Sequence, residues 1–225
     1  MHAIDISGLG RRFGIRWVLR GVTLTVRRGE VVGLLGANGS GKSTLLRVVA
    51  TLLKPNAGTV SVNALDVVRN ADGVRAQLGY LAHAAGVYDD LTARENLQFA
   101  ADMLGVSGSE IPRILERVGL SHVAHDRARG FSAGMQRRLA LGRLILRHPS
   151  VLLLDEPYAN LDIAGVALMN SVMTDIIAAG GTALIALHEL APARAILDRT
   201  VTLVDGRIAA ELSATEPTVQ PTETR

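Results

Sequence analysis

Apolar positions along this chain fall into three kinds of run, and each predicts a different element. Over residues 3–26 they alternate with polar positions, most clearly in Val22-Thr23-Leu24-Thr25-Val26, which predicts short strands in an antiparallel layer. Val31-Val32-Gly33-Leu34-Leu35, Val151-Leu152-Leu153-Leu154 and Thr182-Ala183-Leu184-Ile185-Ala186 are compact apolar runs, the pattern of strands buried inside a sheet. A further strand, Thr59-Val60-Ser61-Val62, follows the turn signal Lys54-Pro55-Asn56-Ala57-Gly58, and the sheet is expected to continue through Leu78-Gly79-Tyr80-Leu81.

Helical spacing begins at Thr44-Leu45-Leu46-Arg47-Val48-Val49 and returns in the middle of the chain. Thr92-Ala93-Arg94-Glu95 is a capping box that starts a helix running to about Leu104. Ile111, Ile114, Leu115 and Val118 recur at helical intervals up to Gly119, and residues 133–146 form another helix. Beyond the Val151 strand come a helix over 163–179, a strand over 200–204, an Asp205-Gly206 hairpin turn and a strand over 207–212. From Ser213 the chain is Thr, Pro, Glu and Gln, and 213–225 is predicted to be a disordered tail. The picture is one α/β domain over 1–212, with a core of about 1–85 and 150–212 and a helical lobe of about 86–149 inserted between its strands.

Composition adjusts this picture in a few places. Hydrophobic residues make up 48% of the chain and aromatics 3%, so the core is built from Val, Leu, Ile and Ala, which suits helices on a parallel sheet. Without cysteine there are no disulfides, thiolate metal sites or cysteine nucleophiles. Lys and Arg number 24 against 21 Asp and Glu, a net charge of +3 that sets up no strong field, and no nucleic-acid partner is expected. No uncharged apolar run is long enough to cross a bilayer, so the chain is expected to be soluble or peripheral.

The chemistry concentrates at Gly36-Ala37-Asn38-Gly39-Ser40-Gly41-Lys42-Ser43, which has the glycine, four residues, glycine, lysine, hydroxyl spacing of a phosphate loop. A strand before it and a helix from Thr44 after it are the context the motif requires. Its glycines let several N–H groups face one point, where the helix start adds partial positive charge. The expected guest is a polyphosphate, with Lys42 neutralising it and the Ser43 hydroxyl ligating Mg²⁺.

The Val151 strand ends in Asp155-Glu156, which places two carboxylates at the sheet edge where ligands bind. Asp155 is expected to hold Mg²⁺ and Glu156 to polarise the attacking water. His188 follows another core strand and is either a surface cap or a hydrogen-bond partner of the γ-phosphate or the water. Phe13 is preferred as a stacking platform for a nucleotide base; it and Trp17 are equally candidates for the core.

These motifs together resemble the ATP-binding cassette ATPases of ABC transporters. Phe131-Ser132-Ala133-Gly134-Met135 is similar to their Leu-Ser-Gly-Gly-Gln signature, and Ala159-Asn160-Leu161-Asp162 to their D-loop. The resemblance implies a P-loop NTPase with a RecA-like core, an antiparallel β layer and an inserted α-helical subdomain. It implies ATP and Mg²⁺ as cofactors, with Lys42, Glu156 and His188 catalytic and with Ser43 and Asp155 at the metal. Nucleotide contacts would come from Phe13, from Gly36, Ala37, Asn38, Gly39, Ser40, Gly41, Lys42, Ser43 and Thr44, and from His83, Ser132 and Gly134.

Two copies would pair head to tail, each ATP lying between the phosphate loop of one and the signature of the other. Integral membrane permease subunits on separate chains would be the partners, and the chain would lie on the cytoplasmic, inner face of the membrane. His83 stands where the family usually has a glutamine that senses Mg²⁺ and faces the membrane subunit. Imidazole replaces an amide as a hydrogen-bond partner but is a poor Mg²⁺ ligand, so a role in coupling to the membrane partner is expected. With Tyr88-Asp89-Asp90-Leu91-Thr92-Ala93-Arg94-Glu95-Asn96-Leu97, this histidine resembles the haem-exporter ATP-binding subunits of bacterial cytochrome c maturation. Export cassettes for drugs, lipids and polysaccharides share most of these residues.

Overall fold

The computed structural model describes residues 1–213. The tail expected over 213–225 lies, from residue 214 onward, outside the described residues; Ser213 itself closes the last strand.

The alternating N-terminal stretch folds into two twelve-residue strands, β1 (His2–Phe13) and β2 (Arg16–Arg27), instead of several short ones. They pair antiparallel from Phe13 opposite Arg16 to His2 opposite Arg27. Register shifts between Ile6 and Leu9, and again at Arg11, interrupt the alternation, so each long strand looks like shorter pieces in sequence. α1 (Lys42–Val49) follows the phosphate loop after β3 (Val31–Leu35).

The next strand corrects another expectation. β4 (Ala57–Val62) pairs antiparallel with β1, Ile4 opposite Val62, and β5 (Leu65–Asp66) completes a four-stranded sheet ordered β2-β1-β4-β5. α2 (Ala71–Gln77) then carries the chain across to β6 (Leu78–Leu81), which belongs to the other sheet, so 59–62 and 78–81 do not share one. That helix buries one side chain, Val74, and leaves no apolar stripe to be read.

The second sheet contains β3, β6, β7 (Val151–Asp155), β8 (Thr182–Ala186), β9 (Arg199–Val204) and β10 (Arg207–Ser213), ordered β10-β9-β3-β8-β7-β6. All its pairs are parallel except β10 with β9. Its central strands are covered on both faces, and their residues split by parity. Val151 and Leu153 pack with Leu45, Leu46, Val48 and Val49 of α1 and with the antiparallel sheet. Leu152 and Leu154 pack with Met169, Val172 and Met173 of α6 (Ile163–Ala178).

Between β6 and β7 lies the helical lobe: α3 (Ala93–Leu104), α4 (Ile111–Arg117) and α5 (Ala133–Arg147), closed around Leu97, Ile114, Leu115 and Leu139. The capping box forms as the sequence indicates. The Thr92 hydroxyl accepts from the Glu95 N–H at 3.1 Å, and the Glu95 carboxylate accepts from the Thr92 N–H at 2.8 Å. α5 serves two cores, since Leu139 and Leu146 face the lobe while Leu141 and Leu144 face the parallel sheet.

Candidate active site

Because β6, β7, β8 and β3 run parallel as neighbours, the segments that leave their C-terminal ends emerge along one edge of the sheet. Along that edge lie His83, then Asp155 at the end of β7 with Glu156 just beyond it, then His188, then the phosphate loop. His188 is exposed just beyond β8.

The loop needs its glycines for stated steric reasons. Gly36 has φ +146°, and a Cβ there would lie 2.3 Å from the Leu203 carbonyl oxygen. At Gly41, φ is +112° and a Cβ would come 2.8 Å from the Leu19 side chain on β2. The antiparallel layer thus touches the loop through β2. Phe13, by contrast, sits at the end of β1, 47% exposed, with the Arg11 guanidinium 4.7 Å from its ring centroid.

Lys42 is 6% exposed, and its ammonium donates to the Gly36 carbonyl at 2.5 Å and the Ala37 carbonyl at 3.2 Å. Among the described residues it has no carboxylate partner, so an anion held by the loop would provide its counter-charge. The buried Ser40 hydroxyl oxygen also has no partner among the described residues.

One helical residue on, the Ser43 hydroxyl donates to Asp155 Oδ1 at 3.0 Å. Asp155 is 1% exposed and its Oδ2 has no partner among the described residues. A buried carboxylate with a bare oxygen is costly, and a hard cation relieves that cost. Ser43 and Asp155 are both oxygen donors and fit Mg²⁺, whose other positions are ordinarily filled by phosphate and water. When bound there, the ion would neutralise phosphate charge.

Glu156, the first residue beyond β7, takes a left-handed conformation at φ +50°, and its N–H donates to the Ala186 carbonyl at 3.0 Å. Its side chain is 28% exposed, and Oε2 lies 3.1 Å from Nδ1 of His83.

Beneath these groups is an arginine that the motifs do not announce. Arg137 on α5 is 3% exposed. Its Nε donates to the Pro157 carbonyl at 3.2 Å, Nη1 to Ala82 at 2.5 Å and His83 at 3.2 Å, and Nη2 to Asp155 at 3.0 Å and Glu156 at 2.5 Å. Burial pushes the guanidinium below its ordinary value, while the Asp155 and Glu156 charges oppose that shift. A sequence signal for its burial existed, because Leu141 and Leu144 follow at helical intervals and place Arg137 on an apolar stripe.

Arg137→Met removes all of these donors. The variant is expected to lose about 3 kcal/mol of stability and roughly 10 °C in Tm, read by thermal unfolding. A fall below about 2 °C would mean that the carbonyls find other donors.

The signature-like segment packs into the same construction. Ser132 caps α5, accepting from the Met135 N–H at 3.2 Å. A Cβ at Gly134 would stand 3.1 Å from the Asn160 carbonyl oxygen, so the helix start runs close to the D-loop-like turn. Arg138 donates to Asp162 Oδ1 at 2.8 Å, and the Gly165 N–H donates to the same carboxylate at 2.7 Å. The Gly165 amide and the Arg138 guanidinium hold the Asp162 carboxyl below its usual range.

A strand, phosphate loop and helix, with a strand-end aspartate bonded to the loop's hydroxyl residue, define a nucleoside triphosphate-binding α/β core that here carries a helical lobe. The chain belongs to the ABC transporter family, whose model matches residues 19–159, and it is an ATP-binding, ATP-hydrolysing subunit of that family. It is 38% identical over 218 residues to the daunorubicin resistance ATP-binding protein DrrA3 of Streptomyces coeruleorubidus, covering 95% of this chain and 69% of that one. With a cytochrome c biogenesis ATP-binding export protein, CcmA 2 of Cupriavidus metallidurans, it shares 38% over 198 residues, 87% of this chain and 94% of that one. A solved ATP-binding subunit of an ABC transporter superposes with a TM-score of 0.87 at 30% identity, over 94% of this chain and 90% of that one. The matched span includes the loop, both strand-end carboxylates and the signature-like segment; Phe13 and His188 lie outside it.

Proposed function

We propose that this chain binds ATP on the 36–43 loop, hydrolyses it with Glu156 as general base, and thereby drives export through permease subunits on separate chains. The observation that carries the reading is the 3.0 Å contact between Ser43 and Asp155, which unites loop and strand end and leaves Asp155 Oδ2 for a cation. Lys42 compensates phosphate charge, and Glu156 holds the position from which a carboxylate takes a proton from water. Two copies pair head to tail, so that Ser132 and Gly134 of each complete the nucleotide site of the other.

Among the described residues no helix is long and apolar enough to cross a membrane, and the proposed location is the inner face of the membrane, beside a permease. The contact region is a cleft of about 840 Å³ between the core and the helical lobe, lined by Tyr80, Ala82, Tyr88, Phe99, Met103 and Arg143. Tyr88, Phe99 and Met103 are exposed there, an apolar strip with a cationic edge suited to a cytoplasmic segment of the permease.

Haem export in cytochrome c maturation is the substrate reading we favour. It is supported by His83, by Tyr88 through Leu97, and by the cytochrome c biogenesis relative, which matches over most of both chains. A drug-export reading is supported by the daunorubicin resistance relative at the same identity. Affinity purification of a tagged Glu156→Gln variant with ATP and Mg²⁺ from solubilised membranes of its host, followed by mass spectrometry, tests both. Cytochrome c maturation membrane proteins are expected; another permease would replace the substrate reading, and recovery of no membrane protein would overturn the transport reading.

A further inference from the structure

We propose that His83 is a positioning residue for Glu156, holding the carboxylate in the orientation from which it takes a proton from water. The inference rests on the reading of Glu156 as general base. His83 lies two residues past the end of β6 and Glu156 one past the end of its parallel neighbour β7, so strand pairing brings two short loops side by side. His83 Nδ1 is 3.1 Å from Glu156 Oε2, within hydrogen-bonding distance. Both the imidazole with its proton on Nδ1 and the imidazolium donate from that atom, so the contact does not depend on the charge of His83.

The backbones beneath the pair are fixed by one group. Arg137 takes the carbonyls of Ala82 and His83 on one side and of Asp155, Glu156 and Pro157 on the other. Glu156 is further constrained by its left-handed backbone, which a residue with a Cβ keeps only when its surroundings enforce it. What Arg137 leaves free is the Glu156 side chain, whose torsions would otherwise sample several wells. The bond to His83 selects one of them, engaging Oε2 and leaving Oε1 for water.

Unlike Arg137, His83 is largely exposed, its side chain at 63%, so replacing it opens no core. That separates positioning from folding. Asparagine at 83 places an amide Nδ2 as many bonds from Cβ as the imidazole Nδ1, whereas alanine offers no donor.

The test uses the purified full-length chain and begins with Glu156→Gln, whose loss of turnover establishes the base; retained turnover there would overturn that reading and this one together. With the base established, His83→Ala is expected to lower kcat about tenfold while Tm and ATP affinity stay near wild type. His83→Asn is expected to recover most of the rate. An alanine variant with kcat within about twofold of wild type would overturn the positioning role while leaving the base in place. So would ATP affinity falling in step with the rate, which would put His83 on the nucleotide or metal, or an asparagine variant no better than alanine.

Discussion

Glu156→Gln is expected to lower steady-state ATP hydrolysis by at least about a hundredfold and to leave ATP binding intact. The amide keeps the size of the side chain and an oxygen able to accept from His83, so the contact at Oε2 survives the change. What disappears is a carboxylate able to take a proton from water, and general-base catalysis of that kind contributes a hundredfold or more. A variant that binds without turning over should be recovered by size-exclusion chromatography with ATP and Mg²⁺ as the closed pair of subunits, and without nucleotide as the monomer. Phosphate release within roughly tenfold of the wild-type rate would remove Glu156 from the role of base.

Lys42→Ala is expected to cost binding itself. The ammonium is buried against two carbonyls, and among the described residues no carboxylate pairs with it, so in the proposed site its Coulomb partner would be the phosphate chain. Losing a charge-assisted contact of roughly 2 to 3 kcal/mol is expected to weaken ATP affinity about 30- to 150-fold. Calorimetric titration with ATP reads this directly, and an unchanged Kd would show that the loop amides alone hold the phosphates. The two variants separate the steps: one retains the nucleotide and loses the chemistry, the other loses the nucleotide.

What could be read in the sequence was what lies close along the chain. The phosphate loop is legible because its strand, turn and helix are contiguous and its glycines keep a fixed spacing, even though the groups that exclude a Cβ at Gly36 and Gly41, Leu203 on β9 and Leu19 on β2, lie far away in sequence. Asp155 and Glu156 are legible because a strand buried on both faces ends in two charges. The capping box at Thr92 and Glu95 is legible because its two hydrogen bonds span three residues.

Interactions made through pairing were hidden. Nothing near His83 in sequence indicates Glu156, which reaches it only because β6 and β7 are parallel neighbours. The apolar stripe of Leu141 and Leu144 marks Arg137 for burial, but the five carbonyls it takes are set only when its helix packs onto the sheet, whereas Arg138 beside it is bonded to Asp162. The sheet to which β4 belongs was hidden too, because an alternating strand carries no label for its partner, and β1 offered it an open edge.

Arg137 and Ser132 share one helix, five residues apart, or about 7.5 Å along its axis. An α-helix over that span behaves as a rod, so a push at its first turn reaches the carbonyls held by the arginine almost undiminished. In the head-to-tail pair proposed above, Ser132 touches the nucleotide of the opposite subunit while Arg137 grips the loops of its own. In such a pair the helix would give each pocket a rigid route by which the nucleotide of one subunit bears on the loops that carry the base of the other.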